Sequence, residues 1–290
     1  MKRSPSSLVS PLAAVIGHPI AHSLSPHIFA FFGYETRRAL NYWRLDVLPE
    51  RLRDTVRVFR EQHLFVGWNV TIPHKTAMAK LVDERSAAAT LLEAVNVVRF
   101  ENGRLIGENT DVIGVQMTFD RNDIDVAGER ALVYGAGGAA MAVAYALAEQ
   151  HAAEVAIVNR TASHARRVAR RLAKAFPHTR FVANPRGRGS NDAAIYVNTT
   201  PLGMHGFPQK NLLPRGARRG AWAFDVVYRP QQTAFLRAAR KKGLRPVGGL
   251  DMLIGQAFGT YDLWFPSQSL SRARREALFD KIRRYLSSHL

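Results

Sequence analysis

Cysteine is absent from the 290 residues, which excludes a disulfide scaffold, a zinc ribbon and a thiol nucleophile. No apolar run approaches the roughly 18 residues that a membrane-spanning helix needs. Acidic side chains are few, 23 against 41 basic ones, and the formal net charge is +18. Lysine is scarce as well: only 8 of the 41 basic residues are Lys, so the excess is arginine. Residues 1–110 carry a net charge of +4 and residues 111–290 a net of +14. No basic run is interleaved with aromatics and no nucleic-acid motif appears. The charge therefore reads as a solvated, Arg-rich surface rather than a nucleic-acid interface, and it also favours an anionic ligand by steering.

What is present is a folded chain. It is 47% hydrophobic and 22% charged, which excludes disorder as the main state. Its length fits one large domain or two of ordinary size. Lys2 and Arg3 precede LVSPLAAVIG, a faint leader-like pattern that Ser10 and Pro11 interrupt. A cytoplasmic protein is the expectation.

Up to about residue 110 the pattern predicts an αβ layer structure. Leu12–Gly17, Tyr42–Asp46 and Phe65–Val70 read as strands. Pro26–Phe32 reads as a helix with Ser25 as N-cap and Pro26 at its first position. Leu48–Glu61 reads as a helix with Leu52, Val56 and Phe59 on one face. Ala94–Phe100 and Arg104–Gly107 flank Asn102-Gly103, a hairpin signal. From Ala131 strands and helices alternate, which implies a doubly wound parallel sheet. The strands are Ala131–Gly135, Val155–Val158, Ile195–Asn198, Ala223–Val227 and Leu244–Val247. The helices are Ala139–Gln150, Ala162–Phe176 and Gln231–Lys242. Asn184–Asn191 and His205–Gly220 read as loops. Met252–Phe265 and Ser271–Tyr285 read as closing helices, the second with a Leu278, Ile282, Tyr285 stripe.

Between the strand at Ala131 and the helix at Ala139, Gly135-Ala136-Gly137-Gly138-Ala139-Ala140 matches G-x-G-x-x-A. Gly135 allows the tight turn, and Gly137 allows backbone to approach a pyrophosphate seated on the helix N-terminus. An NAD site usually places a carboxylate at the end of the next strand, for the ribose 2′-hydroxyl. Here the chain reads Asn159-Arg160-Thr161. Arg160 instead suits a 2′-phosphate, which points to NADP.

Nine stretches together resemble the shikimate dehydrogenase family. They are Gly17–His27 (GHPIAHSLSPH), Asn69–Lys75 (NVTIPHK), Glu93–Asn96 (EAVN), Asn109–Gly114 (NTDVIG), the Gly-rich turn, Asn159–Thr161 (NRT), Asn198–Met204 (NTTPLGM), Asp225–Pro230 (DVVYRP) and Gly249–Gln256 (GLDMLIGQ). They occur in the family's order across residues 15 to 257. The resemblance implies reversible NADPH-linked reduction of 3-dehydroshikimate to shikimate, with no metal. It implies a substrate-binding domain of residues 1–110 and 251–290, an NADP-binding Rossmann domain of residues 111–250, and a site in the cleft between them. The partners expected are small molecules, with no nucleic acid, no membrane, and a monomer or homodimer.

Residue by residue, the resemblance places Ser23 and Ser25 on the substrate carboxylate, with Tyr228 nearby. Hydride transfer to a ketone builds negative charge on oxygen, so a proton donor is needed there. Lys75 matches that donor, and Asp111 its partner carboxylate, expected also to hold a ring hydroxyl. Thr71, Asn96 and Gln256 match hydroxyl contacts. Cofactor contacts are implied for Gly135, Ala136, Gly137, Gly138, Ala139, Asn159, Arg160, Thr161, Val226 and Gly249. Two positions depart from the family. His164 stands where NADP-specific members often carry a second Arg or Lys, and Asp251 stands where a small residue is expected. An NAD-preferring quinate/shikimate dehydrogenase is the near alternative. A basic nucleic-acid-binding protein with a vestigial cofactor fold is the remote one.

Overall fold

The computed structural model describes residues 11–62, 65–185, 191–268 and 270–290. The N-terminal leader-like stretch lies largely outside the described residues, as does most of the loop at 184–191. The chain forms two compact units, one of residues 1–110 and 257–286, the other of residues 111–256 and 287–290.

The first unit holds β1 (Leu12–Gly17), α1 (Ser25–Thr36), β2 (Asn41–Asp46), α2 (Leu52–Gln62) and β3 (Phe65–Val70). It continues with α3 (Lys75–Met78), β4 (Glu84–Arg85), α4 (Ala87–Leu92), β5 (Val97–Glu101) and β6 (Arg104–Glu108). Its sheet has the order β2-β1-β3-β5-β6-β4. β1 lies parallel to β2 and β3, and β5 runs antiparallel to β3. β1 is buried after its first residue, as expected of a central strand covered on both faces. Asn102 and Gly103 both take positive φ, which is the two-residue hairpin conformation their sequence demands. Leu52 and Val56 of α2 are buried, with Phe59 packed against the same core as Trp68.

The second unit holds α5 (Asp111–Arg121), β7 (Arg130–Tyr134), α6 (Gly138–Glu149), β8 (Glu154–Val158), α7 (Ala162–Ala175) and β9 (Arg180–Ala183). It continues with β10 (Ile195–Asn198), β11 (Trp222–Asp225), α8 (Ala234–Lys241) and β12 (Arg245–Val247). The sheet is wholly parallel, in the order β12-β11-β10-β7-β8-β9. That is the doubly wound dinucleotide-fold order, with its reversal between β7 and β10, where such sheets bind ligands. α9 (Leu250–Trp264) begins in this unit and ends in the first, and α10 (Arg272–Ser287) follows it.

The C-terminal helices complete the first unit's core. Phe32 stacks on Tyr261 at 4.6 Å and meets Phe258 edge-on at 4.8 Å, while Phe29 stacks on Tyr42 at 4.3 Å. Trp264 Nε1 donates to the Val98 carbonyl (3.1 Å). A Cβ at Gly67 would sit 2.3 Å from that nitrogen, so the strand needs glycine there.

Several local expectations shift. α1 begins one residue earlier than the sequence implies, and Leu24, not Ser25, is its N-cap, with no side-chain cap bond. Ser25 is buried inside the first turn and Pro26 follows it. The segment at Leu48 opens as a 3-10 turn over Pro49–Arg51 before α2. α8 starts at Ala234, because Thr233 accepts the Leu236 amide and so caps it. In α10 the buried stripe is Leu278, Phe279, Ile282 and Leu286. Tyr285 is half-buried, with its ring against His27 and Phe31. β4, β9, α3, α4 and α5 have no counterpart in the periodicity reading.

Candidate active site

The expected site residues fall on both units. On the first unit they gather at one edge of the sheet, at the carboxyl ends of β1 and β3. Ser23 and Ser25 follow β1, Thr71 and Lys75 follow β3, and Asn96 precedes β5 where that antiparallel strand starts beside the end of β3. Thr71 N donates to the Ile16 carbonyl (2.9 Å) and Val70 N to the Asn96 carbonyl (2.7 Å), which knits this edge together. Lys75 opens α3, and its carbonyl accepts the Val95 amide (3.0 Å). His74, fully buried beside it, bonds through Nε2 to the Val47 carbonyl (2.7 Å), so that nitrogen carries the proton and pins the turn.

Behind these residues runs a buried polar network. Asn69 Nδ2 donates to Thr260 Oγ1 (3.0 Å) and to the Asn96 carbonyl (3.4 Å). This fixes the amide's orientation and turns Oδ1 toward Tyr42, whose hydroxyl donates to it at 2.7 Å. Burial pushes the Tyr42 phenol well above its usual range, and a bond from the Ser25 side chain works against it. Ser23 Oγ accepts the Ser25 amide (3.3 Å), which leaves the Ser23 hydroxyl proton for another acceptor. Asn96 Oδ1 accepts from Thr110 N (2.7 Å) and its Nδ2 donates to Thr110 Oγ1 (3.1 Å). A network satisfied in this way holds side chains in single orientations.

On the second unit, Asp111 opens α5 and is buried. A carboxylate there complements the helix N-terminus. Gln256 Nε2 donates to the Leu253 carbonyl (2.9 Å). Tyr228 is half-buried, and desolvation raises its phenol while Arg229 pulls the other way. Asp251, the unexpected carboxylate, is buried in the first turn of α9 and accepts from Asn122 Nδ2 (3.3 Å).

The Gly-rich turn fits a dinucleotide. Gly135 has φ +117°, and a Cβ there would lie 2.3 Å from Thr199 Oγ1. Gly137 is the N-cap of α6 and supplies no side chain to its first amides; Gly137 and Gly138 both face open space. Ala136 and Ala139 complete the turn without adding a polar group, so bare backbone donors stand at a helix N-terminus. At the end of β8, Asn159 and Arg160 precede Thr161, the N-cap of α7. Asn184 Nδ2 donates to the Asn159 carbonyl (3.1 Å) and its Oδ1 accepts the Asn159 amide (2.8 Å). Arg160 and His164 are exposed. Val226 N donates to the Asn198 carbonyl (3.0 Å). A Cβ on Gly249 would meet the Val226 carbonyl at 2.1 Å, so only glycine fits there.

Two family models match this chain: the shikimate dehydrogenase substrate binding domain over residues 15–98, and shikimate / quinate 5-dehydrogenase over residues 116–183. The chain belongs to the shikimate dehydrogenase family. A family member from a Chelativorans species, named shikimate dehydrogenase (NADP(+)), is 38% identical over 257 residues, 87% of this chain and 90% of that one. The Thermus thermophilus shikimate 5-dehydrogenase, solved with NADP(H) and shikimate, superposes with a TM-score of 0.82 at 35% identity, covering 94% of this chain and 99% of that one. The Listeria monocytogenes enzyme, solved with shikimate and NAD, gives 0.84 at 28% identity, covering 96% of each. The family's two-part α/β architecture, a substrate domain and a Rossmann-type nucleotide domain, is the one seen here.

Sequence reasoning assigned no role to Tyr42, Asn69, Thr110, Asn184, Asp225 or Thr260. Asn69, Thr110 and Asp225 do lie within family-like stretches. Thr260 carried no such signal, since α9 also holds Asp251, Gln256 and Asp262.

Proposed function

We propose that this chain catalyses the reversible reduction of 3-dehydroshikimate to shikimate with NADPH. The observation that carries the reading is the gathering of Ser23, Ser25, Thr71, Lys75 and Asn96 at one sheet edge in a member of this family. NADPH supplies the hydride when bound. The uncapped amides of α6 receive its pyrophosphate and Arg160 its 2′-phosphate, while Val226 and Gly249 line its path. Ser23 and Ser25 take the substrate carboxylate, beside Tyr228. Lys75 donates the proton to the ketone oxygen. Asp111 orients that ammonium and accepts from a ring hydroxyl, and Thr71, Asn96 and Gln256 hold the remaining hydroxyls. Residues 1–110 with the C-terminal helices form the substrate-binding domain in this reading, and residues 111–250 the cofactor domain. Nucleic acid is not a partner, the enzyme acts in the cytoplasm, and it works as a monomer or homodimer. The test is absorbance at 340 nm with shikimate and NADP+, run beside quinate and NAD+. No absorbance change with shikimate and either cofactor would overturn it.

Arg160→Ala should weaken NADP+ far more than NAD+. A charge-assisted contact to phosphate is worth about 1.5–3 kcal/mol, so the Michaelis constant for NADP+ should rise by that equivalent. Equal effects on both cofactors would mean that Arg160 does not read the 2′-phosphate.

Ser23→Ala and Ser25→Ala should each cost roughly 1–2 kcal/mol of shikimate binding, because each removes a hydroxyl donor to a carboxylate. Turnover should change little if the loss is uniform between ground and transition states. Unchanged shikimate affinity together with a lower melting temperature would mark both serines as purely structural.

A further inference from the structure

Asp225 ends β11 with no exposed surface, at the carboxyl edge of the parallel sheet. No step of the proposed chemistry uses it. Three donors converge on it. Asn198 Nδ2 (2.9 Å) and the Val227 amide (3.0 Å) reach Oδ1, and the Thr233 hydroxyl reaches Oδ2 (2.5 Å). The directions are fixed by chemistry. Asn198 Nδ2 also donates to the Leu202 carbonyl (3.0 Å), and its Oδ1 accepts from Thr200 N (3.0 Å) and Thr200 Oγ1 (2.6 Å). The Asn198 amide therefore cannot be reversed. Thr233 Oγ1 already accepts the Leu236 amide as the cap of α8, so its proton goes to Asp225. Every partner is neutral and every partner donates, which is the surrounding an ionised carboxylate requires.

The two loops tied by this group face the ligand edge. The first, Thr199–Leu202, leaves β10 beside the Gly-rich turn, where Thr199 Oγ1 donates to the Tyr134 carbonyl (2.6 Å) and abuts Gly135. The second, Val226–Tyr228, leaves β11 and closes against Gly249. Both emerge at or beside the reversal of strand order, between β7 and β10, where sheets of this kind take their ligands.

We propose that Asp225 is a positioning residue for the dinucleotide: it locks the loops after β10 and β11 into the one arrangement that receives NADP. The inference rests on the NADP reading above. Its test is calorimetric titration of NADP+ into the wild type, Asp225→Asn, Thr233→Val and Thr233→Ser, with kcat and KM for both substrates. Asp225→Asn and Thr233→Val should each lose about tenfold or more in NADP+ affinity, with KM for NADP+ rising more than KM for shikimate. Thr233→Ser keeps the hydroxyl and should bind NADP+ like the wild type. If Asp225→Asn does not fold, the Thr233 pair alone decides. Wild-type affinity in Asp225→Asn and Thr233→Val overturns the proposal. So does a loss in Thr233→Ser as large as in Thr233→Val, because that traces the effect to packing. A wild type that takes up no NADP+ overturns the cofactor reading itself and this inference with it.

Discussion

Lys75→Ala should lower kcat by about 10²–10⁴-fold, the usual contribution of a positioned proton donor, while shikimate affinity falls much less. The asymmetry follows from when the charge appears. The ketone oxygen becomes alkoxide-like only as the hydride arrives, so a cation there acts mainly on the transition state. The scaffold fixes the backbone from which the lysine extends, because His74 is pinned to Val47 and the Lys75 carbonyl to Val95. Asp111→Asn should slow turnover too and should add a loss of affinity, because Asp111 is assigned a ring hydroxyl as well. If one proton-transfer step uses both residues, the double variant should lose much less than the product of the single losses. Fully multiplicative losses would show independent roles. Near-normal turnover in Lys75→Ala would remove it from the chemistry and leave the proton to water or another side chain.

The second large effect is on stability, and its sign is unusual for a carboxylate. Burial pushes the Asp225 carboxyl from its usual 3.8 up to about 6, against the pull of its three hydrogen bonds. The folded protein therefore holds a proton that the unfolded chain has released across the interval between those values. Stability should be highest below the unfolded value and should fall as pH rises through about 6, levelling off above it. The span corresponds to roughly 3 kcal/mol. Urea unfolding of wild type and Asp225→Asn from pH 4 to 8 isolates this group. The wild type should gain on the variant as the medium is acidified. A constant difference across that range would mean that Asp225 titrates as in the unfolded chain. A buried carboxylate that costs stability at neutral pH fits a residue retained for ligand binding rather than for folding.

Much of the architecture was legible because its signals are local. The strand–GAGGAA–helix unit, the Asn102-Gly103 turn and the run of alternating elements after Ala131 each depend on neighbouring residues, and each stands in the structure. Strand β9 escaped notice because its apolar run, Phe181–Ala183, is only three residues long after an exposed arginine. Ser25 looked like a cap because Ser before Pro commonly is one. It sits inside the first turn instead, because Leu24 takes the cap position and Ser25 is the first helical residue. The supports of the site were the least readable part. Asn69 and Thr260 bond across 191 positions, and Asp225 meets Asn198 across 27. Periodicity carries no information about such partners. Motifs mark only that a residue matters, and folding is needed to show what it touches.

The discontinuity of the first unit bears on the order in which the protein is made. Residues 257–286 leave the ribosome after all of residues 111–256, yet Phe258, Tyr261 and Trp264 fill the aromatic cluster around Phe29 and Phe32, and Thr260 completes the bonds of Asn69. The parallel sheet of the second unit has all its strands available earlier, by Val247. During synthesis the nucleotide-type unit is therefore the first that is able to fold, while the opening 110 residues wait with an unfilled core. A chain stopped at residue 256 would keep a complete parallel sheet, but its first unit would lack the side chains that seal it, exposing apolar surface of the kind that chaperones bind.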